Sequence, residues 1–316
     1  MSSNNLRIIY QNEADMTGTT INTSTVATAN TPAANMQKDL KSMVWRSATS
    51  SGTTAYATIV VSTSSSAMTI SGVILAFSNL SSSATIRVRG YTGTVPTVNS
   101  NINSIPTLIT TGATQQFDST SGTVVNTTTN LVAPYQGLGE WNWGSNPNST
   151  GAYSNTRVYG RSWLSAVTGI STPCTSWVIE LYDPACNDNY IEISRLILGN
   201  IWSPKYNTSF GLSATIKDLS TNSRSEAGDL ITFAQAYYTT LTLDLQYLTS
   251  ADRSELFKII RSIGVRKPLF ISTFPDNSAD WGKEQIYQCY GKLVQVPGLT
   301  HSMFETYASQ LDIEEI

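Results

Sequence analysis

Between Ala55 and Gly93 three runs follow one another, AYATIVVST, AMTISGVILAFSNL and ATIRVRGYTG, with only short Ser, Asn and Gly stretches between them. Val, Ile and Thr branch at Cβ, which crowds a helical turn but fits a pleated strand. Short runs of this kind, closely spaced and bounded by turn residues, read as consecutive strands of a β-sandwich or jelly roll.

The rest of the chain agrees with a mainly β fold. Charged residues make up 13% of the 316 positions, and Ser, Thr and Asn take up the difference. Such side chains suit exposed strand faces and turns. The chain is long enough for two domains with real hydrophobic cores. Residues 1–205 read as an N-terminal jelly-roll sandwich with an insertion over about 94–155, and Pro204 with its polar neighbours marks the boundary. Leu6–Tyr10 is a short strand ahead of the jelly roll, free to pair away from it, with the second domain. Trp45 is expected inside the sandwich.

Residues 206–316 read as an antiparallel β-sandwich or α+β domain with one covering helix at about 250–263. Thr249 or Ser250 can cap that helix. Asp252 lies in its first turn, Leu256, Ile259, Ile260 and Ile263 share one face, and Gly264 ends it. Upstream, Leu241, Leu243, Leu245 and Tyr247 alternate as the buried side of a strand. The last residues, HSMFETYASQLDIEEI, end in a strand that completes a sheet.

Several chemistries find no support in the sequence. A net charge of -3 without a Lys/Arg run gives no footprint for nucleic acid or an anionic membrane. No apolar run is long enough to cross a bilayer, and the opening residues do not read as a signal peptide, so synthesis in a cytoplasm is expected. Cys174, Cys186 and Cys289 are odd in number and widely spaced, the pattern of buried reduced thiols. His301, the single histidine, has no catalytic motif around it, and no nucleophile elbow, zincin helix or phosphate loop occurs. No cofactor is expected.

Two constellations remain. Asp183, Asp188 and Glu192 crowd the segment DPACNDNYIE. They can serve a turn, hold a structural cation through clustered oxygens, or act as paired carboxylates on a glycosidic bond. As a turn, the segment reverses the chain between the strands WVIELYD and IEISRLIL. The aromatics Tyr135, Trp141, Trp143 and Tyr153 lie in a long Gly/Asn/Pro-rich stretch. They can stack on sugar faces, or pack in the core or at a subunit interface.

With these residues in view, a resemblance can be stated. Ala29–Ser47 followed by Met68–Gly93 resembles the opening of a galactose-binding-like, discoidin-type jelly roll. Trp177–Asn207, WVIELYDPACNDNYIEISRLILGNIWSPKYN, is similar to a segment of tailed-bacteriophage virion proteins. Arg224–Asp229, Asp244–Gly264, Pro268–Asp276 and Cys289–Leu293 fit the same proteins. The resemblance implies a non-enzymatic structural subunit of a phage tail, baseplate or tail tip. Such a subunit assembles in a symmetric ring with copies of itself and other virion proteins, and its place is the virion after synthesis in the bacterial host. The alternative it leaves open is a module of the tail that binds a host-surface glycan.

Overall fold

The computed structural model describes residues 5–63, 67–80, 84–100, 103–104, 106–119, 158–164, 173–186, 188–275, 281–303 and 305–316. These fall into two compact units, one within 11–202 and 278–285, the other within 1–10, 203–277 and 286–316. The protein is mainly β, with antiparallel sheets and one covering helix.

The chain opens with β1 (Arg7–Ile9), which pairs antiparallel with a strand near residue 270, Ile8 facing Ile271. Residues 5–10 therefore belong with the second unit, although they precede the sandwich in sequence. All three residues of β1 are buried, and the Asn5 side chain anchors the approach by donating to the Pro204 and Lys205 carbonyls at 3.1 and 2.8 Å.

The sandwich comprises β2 (Thr20–Thr23), β3 (Trp45–Arg46), β4 (Ala55–Ser62), β5 (Gly72–Ser78), β6 (Thr85–Gly93), β7 (Thr97–Val98), β8 (Leu108–Ile109), β9 (Ala113–Asp118), β10 (Val158–Trp163), β11 (Ser176–Asp183) and β12 (Glu192–Gly199). One sheet has the order β2-β4-β11-β6-β9, the other β10-β5-β12-β3, and β7 pairs with β8 as a small ribbon. From β3 to β6 and again from β9 to β12 the chain alternates between the two sheets, the winding of a jelly roll.

One core lies between the sheets. Ile59 and Val61 of β4, Val88 of β6 and Trp177, Ile179 and Leu181 of β11 meet Val73 and Leu75 of β5 and Ile193, Leu196 and Leu198 of β12. Fully burying side chains of this size contributes about 1.5–3 kcal/mol each. Trp45 is inside this core, as expected, with its indole Nε1 donating to the Thr25 carbonyl at 3.1 Å. Trp177 fits because Gly90 faces it: a Cβ there would stand 2.6 Å from Cys174 Sγ and 3.0 Å from the indole ring.

Two expectations are corrected in this unit. β11 and β12 are not a hairpin. β11 lies between β4 and β6 and β12 between β3 and β5, so the DPACNDN segment carries the chain from one sheet to the other. The reading of about 94–155 as an insertion also gives way over Ala113–Asp118, which is the edge strand β9 paired to β6. Its pattern is weak because only Phe117 and Asp118 of its six residues are buried.

The second unit contains β13 (Ser213–Asp218), β14 (Thr221–Arg224), β15 (Leu230–Phe233), β16 (Tyr237–Leu248), α1 (Ser250–Ile263), β17 (Leu269–Ser272), β18 (Gln288–Leu293), β19 (Thr300–Met303) and β20 (Thr306–Glu315). A short helix, Trp281–Ile286, precedes β18 in sequence, but its residues up to Gln285 group with the first unit. The main sheet runs β1-β17-β18-β20-β16-β13, with β19 also on β20. The closing strand is thus central, while β14 and β15 form a separate hairpin.

α1 begins and ends where the sequence places it. Thr249 accepts from the Asp252 amide, the Asp252 carboxylate accepts from the Thr249 amide, and Gly264, at φ 53°, donates to the Ile260 carbonyl. Its apolar face lies toward β16 and β20. In β16, Leu241, Leu243 and Leu245 are buried as expected, but Tyr247 is exposed. A register irregularity between Leu245 and Leu248 opposite β20 turns Leu248 inward instead.

Candidate functional site

The acidic crossing between β11 and β12 is held by a dense set of local bonds. Asp183 is fully buried at the end of β11, and its Oδ1 accepts from the Ala185 amide at 3.0 Å, an Asx turn. Cys186 donates its thiol to the Tyr190 carbonyl at 3.0 Å and its amide to the Thr53 carbonyl at 2.7 Å. Asn189 takes the left-handed conformation at φ 58°, one that Asn tolerates, and its carbonyl accepts from the Ser50 amide.

Asn79, just after β5, stitches the far side. Its Nδ2 donates to Asp188 Oδ2 and to the Tyr190 carbonyl, both at 2.9 Å, while its Oδ1 accepts from the Glu192 amide at 2.8 Å. The Glu192 side chain is 3% exposed and grips Arg46 through Nη2 at 2.6 Å and Nε at 2.8 Å. The Arg46 guanidinium also lies 4.3 Å over the Tyr190 ring.

The three carboxylates therefore serve different partners: Asp183 its own turn, Asp188 the Asn79 amide, Glu192 the Arg46 guanidinium. No group of three His, Cys, Asp or Glu side chains able to hold a metal ion occurs among the described residues. Burial, reinforced by the charges of Asp183 and Asp188, pushes the Cys186 thiol up to about 12, and burial pushes Cys174 up to about 11. Both, with Cys289, are buried and outside any disulfide. His301 lies in β19, stacked on Tyr307 at 4.8 Å. Tyr135, Trp141, Trp143 and Tyr153 lie outside the described residues.

Three further features escape sequence reading. Arg195, 2% exposed, pairs with Asp15 and, at 2.7 Å, with Asp39, and donates to the Met36 carbonyl at 3.2 Å. It clamps the segment that leads from β1 into β3 against β12. Burial, with the Asp39 charge, holds the Asp15 pKa above the usual carboxylate value although Arg195 lowers it.

The second feature is the outer face of the five-stranded sheet. There Arg87 pairs with Asp118 at 2.5 Å and Arg89 pairs with Glu180. Tyr56 and Tyr182 stack beside them at 4.9 Å. The spacing of Arg87, Arg89 and Tyr91 was a usable signal, since alternate residues share a strand face.

The third is the excursion between β13 and β16. No residue from Ser213 to Tyr237 is buried, yet the segment forms ordered strands and exposes Ile216, Leu219, Leu230, Ile231 and Phe233. No helix among the described residues is long and apolar enough to cross a membrane. No protein-family model matches this chain, and no curated protein matches it.

Proposed function

We propose that the chain is a non-enzymatic structural subunit of a tailed-bacteriophage virion, in the tail, baseplate or tail tip, where copies assemble about a symmetry axis. The observation that carries this reading is the β13–β15 excursion. A two-stranded hairpin on its own is marginal in water, every residue of β14 and β15 is exposed, and a cluster of exposed apolar side chains marks a surface suited to a partner.

Two features support it. The segment that resembles virion proteins, Trp177–Asn207, owes its polar residues to the crossing: Asp183 caps the turn and Glu192 binds Arg46. Those residues are used up in holding the fold, which suits a framework role. The low charge content also lets broad interfaces form with little desolvation cost. The glycan-binding alternative rests on aromatics outside the described residues, so no structural observation favours it.

The test is mass spectrometry on particles purified from the phage that encodes the chain. The reading expects the chain among the virion proteins, in several copies per particle. Absence from intact particles, with the protein present in the infected cell, counts against it.

A further inference from the structure

We infer that copies of this chain join head to tail through opposite charges, the acidic tip of the β14–β15 hairpin of one copy meeting the basic exit of α1 in the next. The inference rests on the reading of the chain as an assembling subunit and names the two surfaces.

The basic surface follows from the sequence of α1 and its exit. Residues 250–267 hold five cations, Arg253, Lys258, Arg261, Arg266 and Lys267, against two carboxylates, Asp252 and Glu255. Asp252 closes the helix cap, Glu255 pairs with Lys258 at 2.5 Å, and Arg253 lies over the Tyr307 ring. Arg261, Arg266 and Lys267 remain exposed, their side chains without an ion pair or hydrogen bond among the described residues. The negative carbonyl end of a helix favours a cation in the last turn. That accounts for Arg261 but not for Arg266 and Lys267, which lie beyond Gly264. Phe257 and Val265 flank Arg261 in sequence and are 55% and 45% exposed.

The hairpin carries the complement. Its tip, residues 225–229, exposes Glu226 and Asp229, and neither carboxylate has a partner among the described residues. Arg224 donates to the Gly228 carbonyl at 2.7 Å and shares one hairpin face with Asn222, Leu230 and Thr232. The opposite face, Thr221, Ser223, Ile231 and Phe233, has no charge, and Ile231 and Phe233 are 45% and 58% exposed. Each surface thus sets exposed apolar side chains beside unpaired charges, and the charges are of opposite sign. Such a match steers association and rejects partners of the wrong sign.

Topology assigns the two surfaces to neighbouring copies. In the sheet order β1-β17-β18-β20-β16-β13 the hairpin follows the margin strand β13, whereas the exit of α1 runs into β17, four strand steps away. At ~4.8 Å per step the two strands are about 19 Å apart. The free charges of one surface accordingly form no ion pair with those of the other inside the chain. Unlike surfaces toward opposite margins of one sheet make a heterologous contact, which closes a ring when the rotation per copy permits.

The test reverses each surface in the full chain: Glu226→Lys with Asp229→Lys in one variant, Arg266→Glu with Lys267→Glu in the other. Sedimentation equilibrium of the wild type should show an association that weakens about tenfold or more between about 0.05 M and about 0.5 M salt. Each variant alone brings like charges together and should associate about tenfold or more weakly at low salt. All four positions are exposed, so the melting temperature should stay unchanged. An equimolar mixture of the two variants restores opposite charges at every contact and should recover wild-type association. A wild type that is monomeric at every soluble concentration or indifferent to salt, or a mixture no tighter than its components, overturns the inference. A chain found in virions whose mixture does not recover refutes this contact alone. One whose mixture recovers but which is absent from virions refutes the virion reading alone.

Discussion

Glu192 and Arg46 lie opposite each other on β12 and β3, their side chains joined at 2.6 and 2.8 Å, yet Glu192 is 3% exposed and Arg46 39%. The asymmetry decides which partner is costly to lose. Arg46→Ala takes the guanidinium from a buried carboxylate and should destabilise the protein by about 3–5 kcal/mol. Glu192→Gln keeps the side chain's shape and leaves a guanidinium that water reaches, so it should cost less. Urea unfolding of the two variants checks the order, and equal losses would falsify it.

Gly90 leaves room for the Trp177 indole opposite it on β6. Gly90→Ala puts a methyl group within 2.6 Å of Cys174 Sγ and should cost about 1–3 kcal/mol, the range for overpacking a tight core. Gly90→Ala combined with Cys174→Ala should recover part of the loss, which thermal melting of the single and double variants measures.

Burial pushes the Cys186 and Cys174 thiols up to about 12 and about 11, above the ordinary thiol value of 9.0. Both stay neutral at pH 8, so a thiolate-selective alkylating reagent should leave them unmodified in the native protein and label them after denaturation. The same shifts set a sign. With the folded values above the unfolded one, the contribution to stability is complete below pH 9 and is lost as pH rises toward 11–12. Rapid native labelling at pH 8 would show that the burial of these thiols is misjudged.

How much of this was legible in the sequence depends on what each side chain answers to. Local chemistry was readable: the Thr249 cap, the Gly264 stop, the inward alternation of Leu241, Leu243 and Leu245, and the turn role of Asp183. Strand partners were not. All eight residues of β12 are buried, so no alternation says which sheet it joins, and a turn between two adjacent strands suggests a hairpin by default. The Arg195 clamp was invisible because its partner Asp15 is 180 residues away. Tyr247 was misplaced because a register irregularity leaves no mark in a run of alternating residues.

Asp15 offers a test of that clamp. Its pKa is raised in the fold, so its contribution to stability is complete below the ordinary carboxylate value and is lost as pH rises through the folded one. Asp15→Asn takes one of two carboxylates from the buried Arg195 but leaves Asp39, so at pH 7 it should cost less than losing the guanidinium. Arg195→Ala, which leaves Asp15 and Asp39 together, should be destabilised by about 3 kcal/mol or more. Chemical denaturation at pH 7 and pH 4 compares the variants, and a loss in Asp15→Asn as large as that in Arg195→Ala at pH 7 runs against the clamp as described.

The central proposal, a repeated structural subunit of a phage virion, is tested most directly by electron-microscopy reconstruction of the particles to which that proposal assigns the chain. The prediction is a ring of copies in the tail, baseplate or tail tip, with each excursion between β13 and β16 buried against a neighbouring copy. A particle in which the chain is absent, or present as a single copy with that excursion bare to solvent, contradicts it.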